Sequence, residues 1–426
     1  MNILIYSLNY SPELTGIGKY NGEMSKWLVN NDVDVQVVAA KPYYPEWEVH
    51  ADYSGFGYQS SIEDGVSVVR CPLYVPAQPS ALKRIIHLAS FALSSMLVLF
   101  KKLFSKKTRS DAIFVVQPTL FITPVALLFA KICGAKTILH IQDYEVDAML
   151  GLGMAGKGSL IPRIAYGIES WLMRRFDVVS TISYSMMEKA KQKGVSAEKL
   201  MFFPNWADTG FVTPEVDGSV IRADWGFTEA DKVVLYAGNM GAKQGLEMVL
   251  DAAAQYQNQS GSDFYSKSVD AVKFVFVGAG AHVDALKQQA AEMNLKNVFF
   301  KPLQAWEDVP SMLAMADVHL VVQKKGAADA VLPSKLTNIL SAGGNAVVTA
   351  ESDTELGQLT AKFPGIYTLA EPESLPAFIQ ALDAELSRID EGENSWNRIA
   401  REYAEQHLNK DAILSKFLDN VRQLIR

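Results

Sequence analysis

The segment Leu332–Gly344, LPSKLTNILSAGG, brings a proline, a lysine and two hydroxyls to the start of one short apolar-periodic run. Pro333 suits the first turn of a helix, because its φ is already helical and its missing N–H costs nothing there. Ser334, Lys335 and Thr337 then place polar and cationic groups around the free amides of that turn. Those amides carry the positive end of the helix dipole, so the combination suits a phosphate or a diphosphate. A well-capped surface helix with an incidental lysine would use the same residues. The apolar run Val318–Val322 before it, and Ala346–Thr349 after Gly343-Gly344, set the segment inside an α/β repeat.

Other loops that follow strand-like runs carry chemistry of the same kind. In Ser11–Lys19, Gly16 and Gly18 stand between a strand and a helix and would let backbone approach a ligand closely, or simply make a tight turn. Asn21 stands where a dinucleotide fingerprint needs its third glycine, and Glu13 and Tyr20 break the phosphate-loop pattern. His140, Asp143, Glu145 and Asp147 leave one strand together, offering an acid, a base or a charge stabiliser. Their spacing matches no metal motif, and Asp143 could equally cap a helix. In YAGNMGAKQG, Gly238, Asn239, Gly241 and Gly245 surround Lys243, which could neutralise a leaving phosphate or meet solvent. Gly278 and Gly280 follow a strand without a third glycine. Leu303 and Gln304 either shape a base pocket or turn the chain.

These loops must be held by strands and helices, and the chain supplies both. Strand-like runs at Ile3–Leu8, Val33–Ala39, Val66–Arg70, Ile113–Gln117, Thr137–Ile141 and Val178–Ile182 alternate with helical patterns. After a break at Pro204–Asp231 the alternation restarts with Val233–Ala237, Phe274–Val277, Val298–Phe300, Val318–Val322 and Ala346–Thr349. Alternation of this kind means parallel sheets covered by helices. The reading is α/β: two Rossmann-like parallel-sheet domains facing a central cleft, residues 1–205 and 206–392. Helices in 393–426 could pack back on the first domain. At 426 residues and 49% hydrophobic content, two cores are affordable in size. A net charge of -7 argues against non-specific nucleic-acid binding, and two cysteines without a CxxC pair point to a reducing compartment. The N-terminus reads as a first strand rather than a signal peptide, and no run reaches the ~20 apolar residues of a spanning helix.

Charge is uneven in one region. Between Asp64 and Asp111 there is no acidic residue, and Ile85–Phe100 contains no Lys or Arg. Lys83 and Arg84 precede that run; Lys101, Lys102, Lys106, Lys107 and Arg109 follow it. As a helix it has a thin polar stripe of His87, Ser90 and Ser94. Such a helix either lies in the surface of an anionic membrane or is a covering helix with solvated basic ends.

The order NYSPELTGIGKY, HIQDYE, YAGNMGAKQGLE, VGAG, ADVHLVVQ and LPSKLTNILSAGGNAVVT resembles the family 4 retaining glycosyltransferases of the GT-B fold, essentially end to end. CPLYVPAQPS, HIQDYEVDAMLGLG and KKGAADAVLPSKLTNIL are similar to the fucosyltransferases of bacterial colanic acid, an exopolysaccharide. The resemblance implies an acceptor-binding first domain and a second domain binding a nucleotide-sugar donor. The implied donor is GDP-fucose and the implied acceptor an undecaprenyl-diphosphate-linked oligosaccharide. The implied location is cytoplasmic, peripheral on the cytoplasmic face of the inner membrane, with no cofactor, no metal and no nucleic acid. By motif, the Gly16/Gly18 turn would face donor phosphates and acceptor. Asp143, with His140 as the alternative, would stand near the anomeric carbon. Lys243 would be the cation of the Lys-Gly element. Asn338 would fall at the second glutamate of the Glu-x7-Glu motif. Gly278, Gly280, Leu303, Gln304, Pro333, Ser334 and Lys335 complete the expected substrate-binding set.

Two departures stand out. The motif's first glutamate falls at Ala330, beside Asp329, and the arginine before the Lys-Gly element corresponds to Asn239. Lys243, Lys335 and helix amides would then have to stabilise the leaving diphosphate. A GT-B sugar-nucleotide epimerase and a non-catalytic polysaccharide-assembly partner remain the alternatives, whereas the missing GxGxxG disfavours a dehydrogenase.

Overall fold

The computed structural model describes residues 1–13, 16–44, 46–78, 80–104, 109–147, 161–259, 272–326, 333–390 and 396–426. Lys106, Lys107, Gly151–Gly158, Asp329, Ala330 and Glu393 lie outside the described residues. The chain divides into two compact units, Met1–Pro204 with Leu414–Arg426, and Asn205–Ile413.

In the first unit the strands are β1 (Asn2–Tyr6), β2 (Asp34–Ala40), β3 (Gln59–Glu63), β4 (Val66–Cys71), β5 (Ala112–Gln117), β6 (Lys136–Ile141), β7 (Val178–Thr181) and β8 (Leu200–Phe202). They form one sheet in the order β3-β4-β2-β1-β5-β6-β7-β8. All neighbours pair in parallel except β3, which runs antiparallel to β4 at the edge. Strands such as β5 (AIFVVQ) are buried at every position, as a parallel sheet covered on both faces requires. β3 reads QSSIE and is largely exposed. A polar edge strand lacks the apolar run that reveals a buried one, so the sequence reading misses it. β8, only three residues long, escapes for want of length.

The helix Ala81–Leu103 starts at Ser80, whose hydroxyl accepts from the Lys83 amide. His87, Phe91, Ser95 and Leu99 are buried, with Ser95 Oγ 2.6 Å from the Tyr6 hydroxyl. The polar stripe turns to protein: His87 Nδ1 meets Tyr74 O at 2.5 Å and Ser90 Oγ accepts from the Tyr74 amide. Leu82, Ile86, Leu93, Leu97, Phe100 and Phe104 are exposed. By length and composition Leu82–Leu103 is long and apolar enough to cross a membrane, which corrects the expectation that no segment is. Here one side of it covers the sheet.

The helix Lys410–Ile425 reaches the first unit from Leu414 onward. Phe417 stacks on Phe203 with centroids 4.4 Å apart and meets Phe114 edge-on at 5.3 Å.

The second unit has a six-stranded, all-parallel sheet in the order β11-β10-β9-β12-β13-β14. These are β9 (Lys232–Ala237), β10 (Val272–Val277), β11 (Val298–Lys301), β12 (Val318–Val321), β13 (Ala346–Thr349) and β14 (Thr368–Ala370). Val233 and Leu235 of β9 face one core and Val234 and Tyr236 the other, following the two-residue period of a strand. Both units are therefore Rossmann-like α/β structures. Strand order reverses between β1 and β5 in the first unit and between β9 and β12 in the second. Ligand crevices form beyond the carboxyl ends of strands at such switch points.

Phe417→Ala should remove a stacked, 2% exposed ring from this core. It should cost about 3–5 kcal/mol, read as a lowered urea midpoint.

Candidate functional site

At the β9–β12 switch point, two loops lie against each other. The Gly238 amide donates to Val277 O at 2.9 Å, Met240 N–H to Ala279 O at 2.8 Å, and His282 N–H to Met240 O at 3.0 Å. Gly278 has φ +137, and a Cβ there would fall 2.1 Å from Gly238 O. At Gly280, φ +152, a Cβ would fall 2.3 Å from Met240 O. Both glycines thus allow the loops after β9 and β10 to join. Gly278 and Gly280, expected in the substrate-binding set, make their close approach to protein backbone.

Pro333 is the residue before the helix Ser334–Ser341 rather than in its first turn, with ψ 135 and its carbonyl accepting from the Leu336 amide at 2.8 Å. Thr337 is buried, and its hydroxyl donates back to Ser334 O at 2.8 Å, so it does not line the helix start as expected. Ser334 is exposed. Lys335 turns across the sheet end: Nζ donates to the Tyr236 hydroxyl at 2.7 Å and lies 3.9 Å from that ring's centroid. The Tyr236 hydroxyl donates in turn to Asn239 O at 2.6 Å. A Cβ at Gly238 would meet Lys335 Nζ at 3.3 Å, so the ammonium rests on bare backbone. Burial pushes the Lys335 ammonium down to about 7.

Lys243 sits on the short turn Ala242–Gln244, its side chain exposed. Gln244 Oε1 accepts from the Gly241 amide at 3.0 Å, and Lys243 O from the Lys324 amide at 2.9 Å. Gly245, φ +64, ends the turn. Asn338 Oδ1 is buried and has no hydrogen-bond partner among the described residues. Leu303, exposed, and Gln304, bonded to Pro302 O at 2.8 Å, follow the edge strand β11, two strands from β9.

In the first unit, Gly16 opens the helix Gly16–Asn30 with φ +60 and open space around it. Gly18 differs: a Cβ there would strike Glu13 at 2.6 Å. Glu13 is buried and accepts from Asn9 Nδ2 at 2.9 Å and from the Tyr43 and Tyr44 amides at 3.2 Å each. Burial nonetheless raises its carboxyl above the usual range. Gly18 therefore makes room for this carboxylate.

Asp143 is exposed on the turn after β6. His140 is not an alternative to it. The ring is 3% exposed, stacked on Phe114 at 5.2 Å, with Nε2 2.9 Å from the Gln142 amide nitrogen and Nδ1 3.0 Å from Ser180 Oγ. Gln142 can only donate through that nitrogen, so His140 accepts there and is neutral. Burial pushes it down to about 3. It is a core histidine that braces the strand presenting Asp143. Among the described residues, no group of three or more His, Cys, Asp or Glu could hold a metal ion.

Residues 15–206 match the glycosyl transferase 4-like domain, and residues 218–402 match glycosyl transferases group 1. The chain is 47% identical over 426 residues to the putative colanic acid biosynthesis glycosyl transferase WcaI of Escherichia coli (strain K12), covering 99% of this chain and 100% of that protein. The chain belongs to the GT-B glycosyltransferases. Among solved structures, sucrose-phosphate synthase from Thermosynechococcus elongatus superposes with a TM-score of 0.75 at 16% identity, covering 99% of this chain and 98% of that one. Anabaena HepE in complex with UDP gives 0.67 at 16% identity, covering 99% and 100%.

For a glycosyltransferase the arrangement at β9–β12 has clear chemical use. A lysine held partly out of water beside glycine backbone is a strong partner for a diphosphate, because little water is left to screen the pair. Tyr236, which fixes that lysine, escapes sequence reasoning. Its only signal is a polar-tipped aromatic near the end of an otherwise aliphatic strand.

Two outcomes are expected. Gly278→Ala should separate the β9 and β10 loops and weaken nucleoside-diphosphate binding at least about tenfold by calorimetry, the kind of loss a misplaced site produces. Lys335 gains its charge as pH falls through about 7, so binding should tighten from about pH 8 to about pH 6. Titration in buffers of different ionisation enthalpy should show proton uptake, and Lys335→Met should abolish both effects.

Proposed function

We propose that this glycosyltransferase moves fucose from GDP-fucose to an undecaprenyl-diphosphate-linked oligosaccharide in colanic acid assembly, with retention and without a metal. The observation that carries the donor half is Lys335, laid over Gly238 and Tyr236 at the switch point. The relative named for colanic acid biosynthesis supports the pathway, and the UDP complex of HepE supports a nucleoside-diphosphate leaving group.

Breaking a sugar–phosphate bond requires stabilising the departing diphosphate and an oxocarbenium-like carbon. Lys335, Lys243 and the first amides of the helix Ser334–Ser341 do the former. The acceptor hydroxyl attacks on the face the diphosphate leaves, and the leaving phosphate takes its proton. Asp143 positions the acceptor and its charge favours the developing cation. Asn338, whose carbonyl oxygen lacks a partner among the described residues, accepts from a ribose hydroxyl.

The acceptor's lipid calls for a membrane surface. Leu82, Ile86, Leu93, Leu97, Phe100 and Phe104 form an exposed apolar stripe at helical spacing, with Lys83 exposed at one end and Lys101 at the other. Leu128 and Ile132 are exposed on the adjacent helix Thr123–Cys133. Apolar residues flanked by cations suit the cytoplasmic face of an anionic bilayer.

Calorimetry with GDP, UDP and GDP-fucose tests the donor. Tight binding of GDP and GDP-fucose, weakened by Lys335→Ala, is expected; a UDP preference would overturn the fucosyl assignment, and no nucleotide binding would favour a non-catalytic partner. The double variant Leu97→Glu/Phe100→Glu should no longer sediment with phosphatidylglycerol vesicles. Unchanged sedimentation would sink the membrane reading.

A further inference from the structure

Two residues beyond Asp143 lies a carboxyl that the proposed chemistry does not use. Glu145 is 4% exposed, in the helical turn 145–147 that continues the Asp143 turn. Its Oε2 accepts the amide of Leu120, in the loop that follows the neighbouring strand β5. Its Oε1 is buried with no partner among the described residues. At the end of β5 itself, Gln117 is 0% exposed, and neither its side-chain oxygen nor its nitrogen has a partner among the described residues. Gln117 O also accepts from the Gln142 amide at 3.3 Å, so the two strand ends are already joined by backbone. Orphan polar atoms this deeply buried are rare, and one ordered water bridging them is the usual remedy.

The charges around Glu145 come from every element beside it. Asp143 is on its own turn. Glu169, on the helix Ile161–Met173, is fully buried and receives the ammonium of Lys193. Lys193 also pairs with Asp147 at 3.1 Å, as does Lys189, and Tyr166 donates to Asp147 at 2.9 Å. Tyr144, between Asp143 and Glu145, donates to Met186 O at 2.6 Å. The lysines thus serve Asp147 and Glu169, and among the described residues Glu145 has the Leu120 amide alone. Burial pushes its carboxyl up to about 7, with Glu169 and Asp143 adding to the rise and the Leu120 amide opposing it.

We propose that Glu145 is a positioning residue, whose protonated carboxyl ties the loop after β5 to the turn that presents Asp143. One oxygen holds the Leu120 amide, and the O–H on the other gives its proton to a water shared with the orphaned side chain of Gln117. Ionised, Glu145 has no proton to give and sets a further negative charge beside Asp143 and Glu169, so the Asp143 turn is pushed off its productive placement. This inference rests on Asp143 acting at the reacting centre.

The test is GDP release from GDP-fucose across pH by wild type, Glu145→Gln, Glu145→Ala and Asp143→Asn, with thermal unfolding over the same range. Glu145→Gln keeps an acceptor and a donor without titrating. Above about pH 7 its rate should fall less steeply than that of wild type, the decline that remains being the loss of the Lys335 charge. Glu145→Ala should lower kcat about tenfold with donor KM within about twofold, as misplacement of a catalytic group does. A carboxyl whose pKa is raised on folding contributes stability at low pH that is lost as pH rises through about 7. Wild type should therefore lose about 2–4 °C more than Glu145→Gln between about pH 5 and about pH 8. Parallel melting curves, or pH–rate profiles identical in wild type and Glu145→Gln, would overturn the positioning role. Full activity in Asp143→Asn would instead overturn the reading of Asp143. The melting comparison needs no donor, so a failure there overturns the protonated carboxyl even if GDP-fucose is not turned over.

Discussion

Everything functional in this protein depends on where each parallel sheet reverses its strand order. Parallel strands need crossover connections, and crossovers are right-handed almost without exception. When the order turns back, after β2, β3 and β4 in one unit and after β10 and β11 in the other, successive loops leave in opposite directions. Each sheet then opens a crevice at the carboxyl ends of two neighbouring strands. Polar and glycine-rich sequences can occupy it without breaking a ladder. The loops carrying Gly16, Leu120 and Asp143 gather at one such end, and those carrying Gly238, Lys243 and Gly278 at the other.

The two crevices solve the cost of buried polar groups differently. At β9–β12, glycine lets backbone take the place of side chains, and Lys335 is fixed by one hydroxyl and one aromatic face. Its charge is inexpensive to restore when an anion arrives and costly to keep when none is present, so ammonium and ligand are coupled. At β1–β5 and β6, carboxyls are buried instead: among the described residues Glu13 meets three donors, whereas Glu145 meets one. That inequality separates a structural carboxylate from one left sensitive to protonation.

Much of the architecture was legible along the chain, because buried parallel strands are continuous apolar runs separated by helical periods. β13 is read to its observed ends, and the other long strands to within two residues at either end. β3, β8 and β14 were illegible, the first being polar and at an edge, the other two only three residues long. In the candidate site, Lys335 and Asp143 are visible as a lysine at a helix start and a carboxylate after a strand. His140 misleads because a histidine beside an aspartate suggests catalysis. Only the ring's placement between Phe114 and Phe203 reveals a core residue.

The amino-acid order alone determined the α/β class, the two Rossmann-like halves and the family, since all three follow from local runs and motif spacing. Tertiary structure decided what each polar residue faces. Gly18 accommodates Glu13, Gly278 accommodates Gly238, Thr337 turns inward, and Lys335 lies on Tyr236, ninety-nine positions away in the chain. Burial and pairing are long-range properties. They set whether a lysine or a carboxyl is charged near neutral pH, and no local pattern of residue types encodes them.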